Sequence, residues 1–177
     1  MKRAILIAVL ATAMVIPAFS QVRLDVGVEI PITVGVISSS GVETAGDVGE
    51  FLGHPLPFPY ANLGYQFSAG PVKIVPGLRV FTIILESILW PNVLAELELG
   101  PVSIDVQVGG LLFVVFGLYN DADFGKVVVP DVSVWYGLGK KRQFRLGGGV
   151  IGLYVPELTD EAMAIVPYLG GKIALTF

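Results

Sequence analysis

The chain of 177 residues contains no cysteine. Disulfides, thiolate metal sites and a lipid-modified cysteine behind a leader are therefore excluded. Histidine occurs once, as His54, which leaves little for imidazole acid–base work. Charge is scarce: Asp, Glu, Lys and Arg make up 15% of the residues, against roughly 25% in ordinary soluble domains. Long apolar runs are missing too. Beyond the first twenty residues the most apolar stretch is VGGLLFVVFGLY, residues 108–119, shorter than the ~18 residues of a spanning helix. Yet hydrophobic residues reach 54% and mean hydropathy is +0.76. A chain too apolar for water, with no helix to place in a bilayer, can satisfy its backbone in lipid only as a closed β-barrel.

The first residues, MKRAILIAVLATAMVIPAFS, read as a secretory signal peptide over 1–20, with the domain proper at 21–177. Lys2 and Arg3 form the basic region, Ala4 to Ile16 the apolar core, and Pro17 breaks it. Ala18 and Ser20 are the small residues expected before a cut at Gln21. Removing Lys2 and Arg3 takes the formal net charge from −4 to −6, a sign that disfavours nucleic acid as a partner.

The stretch VRLDVGVEIPITVG, residues 22–35, alternates large aliphatics with Arg23, Asp25, Glu29 and small or polar residues. That period of two predicts a strand with one oily and one polar face. The same pattern predicts strands near 60–69, 72–82, 92–99, 102–115, 127–138, 143–154 and 165–177, eight in all. Gly70-Pro71, Gly100-Pro101 and Gly139–Arg142 give tight turns. Residues 36–59, 83–91, 116–126 and 155–164 give looser connections. Short turns at one end and long loops at the other is the outer-membrane arrangement, with the turns periplasmic.

The charged strand residues share one phase. Arg23, Asp25, Glu29, Lys73, Arg79, Glu96, Glu98, Asp105, Asp131, Arg145 and Lys172 all alternate with the oily row. A soluble barrel turns such a polar row outward and a membrane barrel turns it inward. Three features choose the second. Glycines such as Gly27, Gly77, Gly109 and Gly147 crowd the polar phase, as a cramped lumen requires. Aromatics of the oily phase gather at strand ends: Tyr65, Phe67, Tyr136, Phe144 and Phe177 toward the turns, Phe116 and Tyr154 toward the loops. Such girdles belong at lipid interfaces. Finally, so few charges could not solvate an outer wall. The expected fold is all-β, an eight-stranded antiparallel up-and-down transmembrane β-barrel. Its five luminal bases and six luminal acids would pair into a polar plug, with Lys172 a candidate partner for the acids of the first strand.

The final strand, YLGGKIALTF, closes on Phe177 with apolar residues alternating back from it. It resembles the C-terminal signal by which barrel-assembly machinery recognises bacterial outer-membrane proteins. Over the whole mature chain the architecture resembles the small eight-stranded outer-membrane barrels of the outer membrane protein A, X and W type. That resemblance implies a bacterial outer-membrane location and lipid as partner. It also implies a structural or narrow-pore role for small solutes, hydrophobic ones among them. The alternatives are a surface adhesin acting through loop 36–59, and a secreted lipocalin-like binder.

Enzymatic chemistry has little to work with. His54 shares its loop with Ser38, Ser39, Ser40, Glu43, Asp47 and Glu50, but a solvated loop histidine is the plainer reading. Asp121 and Asp123 are too few for a calcium loop. The GGG at 147–149 sits inside a strand with no following helix, so it is no phosphate loop. No enzyme, cofactor or metal is expected. The loops carry nine acids against Lys126, a sum of −8, whereas Lys140, Lys141 and Arg142 crowd one tight turn. Phe51, Leu52, Leu56 and Phe58 are apolar residues available near the mouth.

Overall fold

The computed structural model describes residues 20–38, 41–44, 56–83, 86–110, 112–117, 123–125, 127–154 and 163–177. All of the expected leader but Ser20, together with Ser39, Ser40, Asp47, Glu50, Phe51, Leu52, His54, Asp121, Lys126, Glu157, Asp160 and Glu161, lies outside the described residues.

Alternation and tight turns generate the strands β1 (Ser20–Pro31), β2 (Gly35–Ser38), β3 (Gly41–Thr44), β4 (Phe58–Ala69), β5 (Val72–Ile83), β6 (Glu86–Leu99), β7 (Val102–Gly110), β8 (Phe113–Gly117), β9 (Asp123–Gly125), β10 (Val128–Leu138), β11 (Phe144–Leu153) and β12 (Met163–Thr176). Eight of them run round in the order β1-β4-β5-β6-β7-β10-β11-β12. β12 then returns to pair with β1, from Arg23↔Thr176 to Pro31↔Tyr168. Every pairing in the ring is antiparallel between neighbours in that order. The result is a closed eight-stranded up-and-down barrel.

Two of the turns show why the hairpins close so tightly. Ala69↔Val72 and Leu99↔Val102 leave only Gly-Pro between paired residues. Gly70 and Gly100 take φ of 61° and 67°, and proline fixes the next φ near −65°. That sign pattern is a II′ turn, whose twist matches the strands it joins.

The loop end differs from the sequence expectation. Residues 86–91, expected in a loop, belong to a strand. β6 starts at Glu86 and pairs with β5 as far as Ile83↔Glu86. The alternation fails there because the inward residues, Ile88 and Trp90, are themselves apolar. The first strand stops at Pro31 instead of running to 35. Ile32 N donates to Pro167 O at 2.9 Å, and pairing with β12 resumes at Gly35↔Ile165 with one extra residue. That is a bulge, and it launches the β2–β3 hairpin within the expected loop 36–59. The strand expected at 102–115 breaks at Gly110, where φ is 100°. Pairing along β6 passes from Asn92↔Gly109 to Leu89↔Val114, so two extra residues are accommodated. A Cβ on Gly110 would stand 1.9 Å from the carbonyl oxygen of Val127, so only glycine fits. β8 and β9 pair with each other and occupy much of the expected loop 116–126.

The aliphatic row faces out along the ring: Val26, Leu63, Leu78, Val93, Val106, Val132, Leu146 and Leu169 are all exposed. No helix among the described residues is long and apolar enough to cross a membrane.

Candidate functional site

Strand pleating sends every second residue inward, and the interior divides into two halves along the barrel axis. The half toward the turns is polar. Glu96 of β6, fully buried, stands at its centre. Arg23 Nη2 reaches its Oε2 at 2.6 Å, Arg145 Nη1 the same oxygen at 2.8 Å, and Lys73 Nζ its Oε1 at 3.4 Å. Arg23 Nε also holds Asp25 at 2.9 Å. At the turn-end mouth, Glu98 takes Lys73 at 2.5 Å and Arg145 at 3.3 Å. Toward mid-barrel, Arg79 is clamped between Glu29 at 2.6 Å and Asp131 at 2.8 Å, and donates to Gln107 at 2.9 Å. The Tyr168 hydroxyl donates to Asp131 at 2.9 Å.

Among the described residues Lys172 makes no direct ion pair with the acids of β1, although it lies near enough to act on Glu29 through its charge. Its Nζ crosses the lumen to Asp105 at 2.5 Å and sits 4.5 Å above the ring of Trp135. The acids of β1 are met by Arg23 on their own strand and by Arg79. All eleven charged residues expected in the lumen therefore come together in one packed half. The space left among Glu29, Asn62, Arg79, Asp105, Asp131 and Lys172 is about 10 Å³, room for about one water.

The half toward the loops is apolar. Tyr60, Phe81 and Trp90 stand on the adjacent strands β4, β5 and β6. Their ring centroids are 5.6 Å apart in each step, with interplanar angles of 20° and 9°. The Arg79 guanidinium lies 4.7 Å from the centroids of both Tyr60 and Phe81. Phe81 thus touches the topmost cation of the polar half on one side and lines a cavity on the other. That cavity measures about 280 Å³. Its walls are Phe58, Phe81, Ile88, Trp90 and Phe113 on one side, and Val127, Val129, Ile151, Leu153 and Val166 on the other. None of these residues carries a charge.

The girdle aromatics lie outside this interior. Tyr65, Tyr136, Phe144 and Phe177 are exposed on the outer wall toward the turns, and Phe116 toward the loops. Phe67 and Tyr154 are half-buried. Of the interior aromatics the sequence reading points to Phe58 alone, although a signal for the others exists. Extending the polar phase of each strand by one or two steps leads from Asn62 to Tyr60 and Phe58, from Arg79 to Phe81, and from Asp131 to Val129 and Val127. Among the described residues no group of acids or histidines could hold a metal ion.

A closed ladder, an outward aliphatic wall and an ion-paired interior define a small transmembrane β-barrel. The fold is similar to that of Neisserial surface protein A, at 9% identity and TM-score 0.48, over 86% of this chain and 96% of that one. It is also similar to the N-terminal β-barrel domain of Pseudomonas aeruginosa OprF (11% identity, TM-score 0.46, 85% and 97% covered). A third similar structure is Ail, the attachment invasion locus protein of Yersinia pestis (9%, 0.40, 88% and 99%). Likeness at this level carries no activity from those proteins to this chain. No protein-family model and no curated relative matches the sequence.

Proposed function

We propose that the protein is a bacterial outer-membrane barrel that takes small apolar molecules into a blind cavity at its loop end. The observation that carries this reading is the 280 Å³ cavity walled by ten apolar side chains, standing directly above a lumen whose charges are paired across it. An apolar molecule gains from leaving water for such walls. Onward passage would require desolvated ion pairs to part, so the reading favours capture over a standing pore. In this reading Phe177, directly after β12, is the mark for barrel-assembly machinery, and the outer wall takes membrane lipid as its partner.

Fluorescence tests it. The chain has two tryptophans, and a Trp135→Phe variant leaves Trp90 of the cavity wall as sole reporter. In lipid nanodiscs, 1-bromonaphthalene should quench Trp90 saturably, and filling the cavity by Ile151→Phe should weaken that quenching on the order of tenfold. Quenching that rises linearly with probe in both proteins would reduce the effect to membrane partitioning and end the proposal. A second reading, surface binding through 36–59, draws support from the β2–β3 hairpin, which extends the sheet beside β12 at the loop end. Deleting residues 39–55 should then abolish attachment to host cells while leaving probe quenching intact.

A further inference from the structure

The turn end carries an uneven charge. Gly70-Pro71 and Gly100-Pro101 are uncharged, while the turn between β10 and β11 holds Lys140, Lys141 and Arg142, all exposed. Arg142 is the one described non-glycine residue with positive φ, at 50°. Such a backbone persists only where its surroundings over-determine it, and here they do. Arg142 Nη1 donates to the carbonyl oxygen of Gly100 in the neighbouring turn, and Arg145 Nε donates to the carbonyl oxygen of Arg142 at 3.3 Å. Arg142 therefore straps two turns together and fixes the loop that presents the lysines.

Lys140 and Lys141 make no ion pair among the described residues. The acid exposed at this end, Glu98, is already held by Lys73 and Arg145. On the flanking strands Tyr136, Leu138 and Phe144 project from the outer wall. Tyr136 and Leu138 precede the turn, and Phe144 follows it, each within a few residues, on the order of 10 Å at strand rise. Apolar and aromatic anchors of this kind mark the edge of the hydrocarbon, which leaves two unpaired ammonium groups at phosphate depth.

We propose that this turn is a binding site for the headgroup of an anionic phospholipid of the inner leaflet. The proposal rests on the outer-membrane reading above, with turns facing the periplasm. Lysine binds as a mobile point charge rather than a planar fork, so the site selects the net negative charge of the headgroup and is indifferent to its shape. Juxtamembrane lysines add attraction to anionic lipid that falls off within a Debye length.

The test uses the full mature chain in mixed phosphatidylglycerol and phosphatidylethanolamine, with retained lipid counted by native mass spectrometry. Heat-modifiable migration on gels first establishes that each variant is folded. Wild type should retain phosphatidylglycerol on the order of tenfold over phosphatidylethanolamine. The Lys140→Gln/Lys141→Gln protein, which leaves the Arg142 strap in place, should lose that preference, as should wild type in high salt. An unchanged preference in the double variant would overturn the site. Co-sedimentation with peptidoglycan that the double variant loses, at unchanged lipid retention, would assign the turn to the cell wall and overturn it as well. Wild type that folds yet fails to enter vesicles would refute the membrane reading itself, an outcome distinct from both.

Discussion

The two halves of the interior are built on the same strands, in the same phase, and by opposite means. On β5, Arg79 faces the lumen and is clamped by Glu29 and Asp131, whereas Phe81, two residues on, lines the apolar cavity. On β6, Glu96 gathers three cations, whereas Trp90 and Ile88 line the cavity. The turn-side half is filled by long charged side chains whose desolvation is tolerable only because each meets an opposite charge. The ten side chains that wall the loop-side cavity carry no charge and leave a space open. An eight-stranded lumen is just wide enough for side chains to fill. Whether it is plug or pocket therefore depends on which side chains enter and how far they reach.

The sharpest way to break the contrast is at Glu96. Glu96→Ala leaves buried Arg23 with Asp25 alone and Arg145 with the half-exposed Glu98 alone, and loss of the central partner from such a network costs about 3–5 kcal/mol. Urea unfolding in lipid vesicles should show that loss, with apolar-probe uptake unaffected in whatever fraction folds. Next comes the outer wall common to both halves. Val132 is 52% exposed on that wall, and Val132→Arg should cost about 2–4 kcal/mol if it lies near the bilayer midplane. A change within about 0.5 kcal/mol would mean the aliphatic face does not meet lipid.

The junction between the halves comes third. Gly110→Ala must fit a Cβ 1.9 Å from the Val127 carbonyl oxygen at a φ of 100°. About 2 kcal/mol of destabilisation is expected, together with altered Trp90 emission, since Trp90 stands beside Gly109. The smallest effects come as a pair. Val129→Ile adds one methylene to the cavity wall and should change stability by about 1 kcal/mol or less, while lowering probe affinity. Glu98→Gln, at a half-exposed pair, should cost under about 1 kcal/mol. If Glu98→Gln proved as damaging as Glu96→Ala, the polar half would not be graded from mouth to centre as the geometry has it.

The same contrast explains what could be read in advance. Strand phase was plain wherever the lumen is charged, because Arg23, Asp25, Lys73, Glu96, Asp105 and Arg145 alternate with aliphatics. It vanished where the lumen is apolar. At 86–91, Ile88 and Trp90 face inward and Leu89 and Pro91 outward, so both faces look alike and alternation gives no strand signal. The bulges after Pro31 and at Gly110 were invisible for a different reason. They adjust register against a partner strand, and nothing local announces the partner. The cavity was missed with them, since it consists of residues from β4, β5, β6, β8, β10, β11 and β12 that converge only when the ring closes.

Taken alone, the sequence determined the class of structure. Scarce charge, high hydropathy without a spanning helix, and a period of two leave closed sheet as the solution in lipid, and tight Gly-Pro turns set its hairpins. Those are properties of single strands and of short neighbouring segments. The tertiary structure decided what fills the lumen. Which cation meets which acid, that Lys172 crosses to Asp105 and Arg79 spans Glu29 and Asp131, and that an apolar cavity remains above them, depend on distances across the barrel. Closure sets those distances through residues far apart in the chain, and no local pattern encodes them.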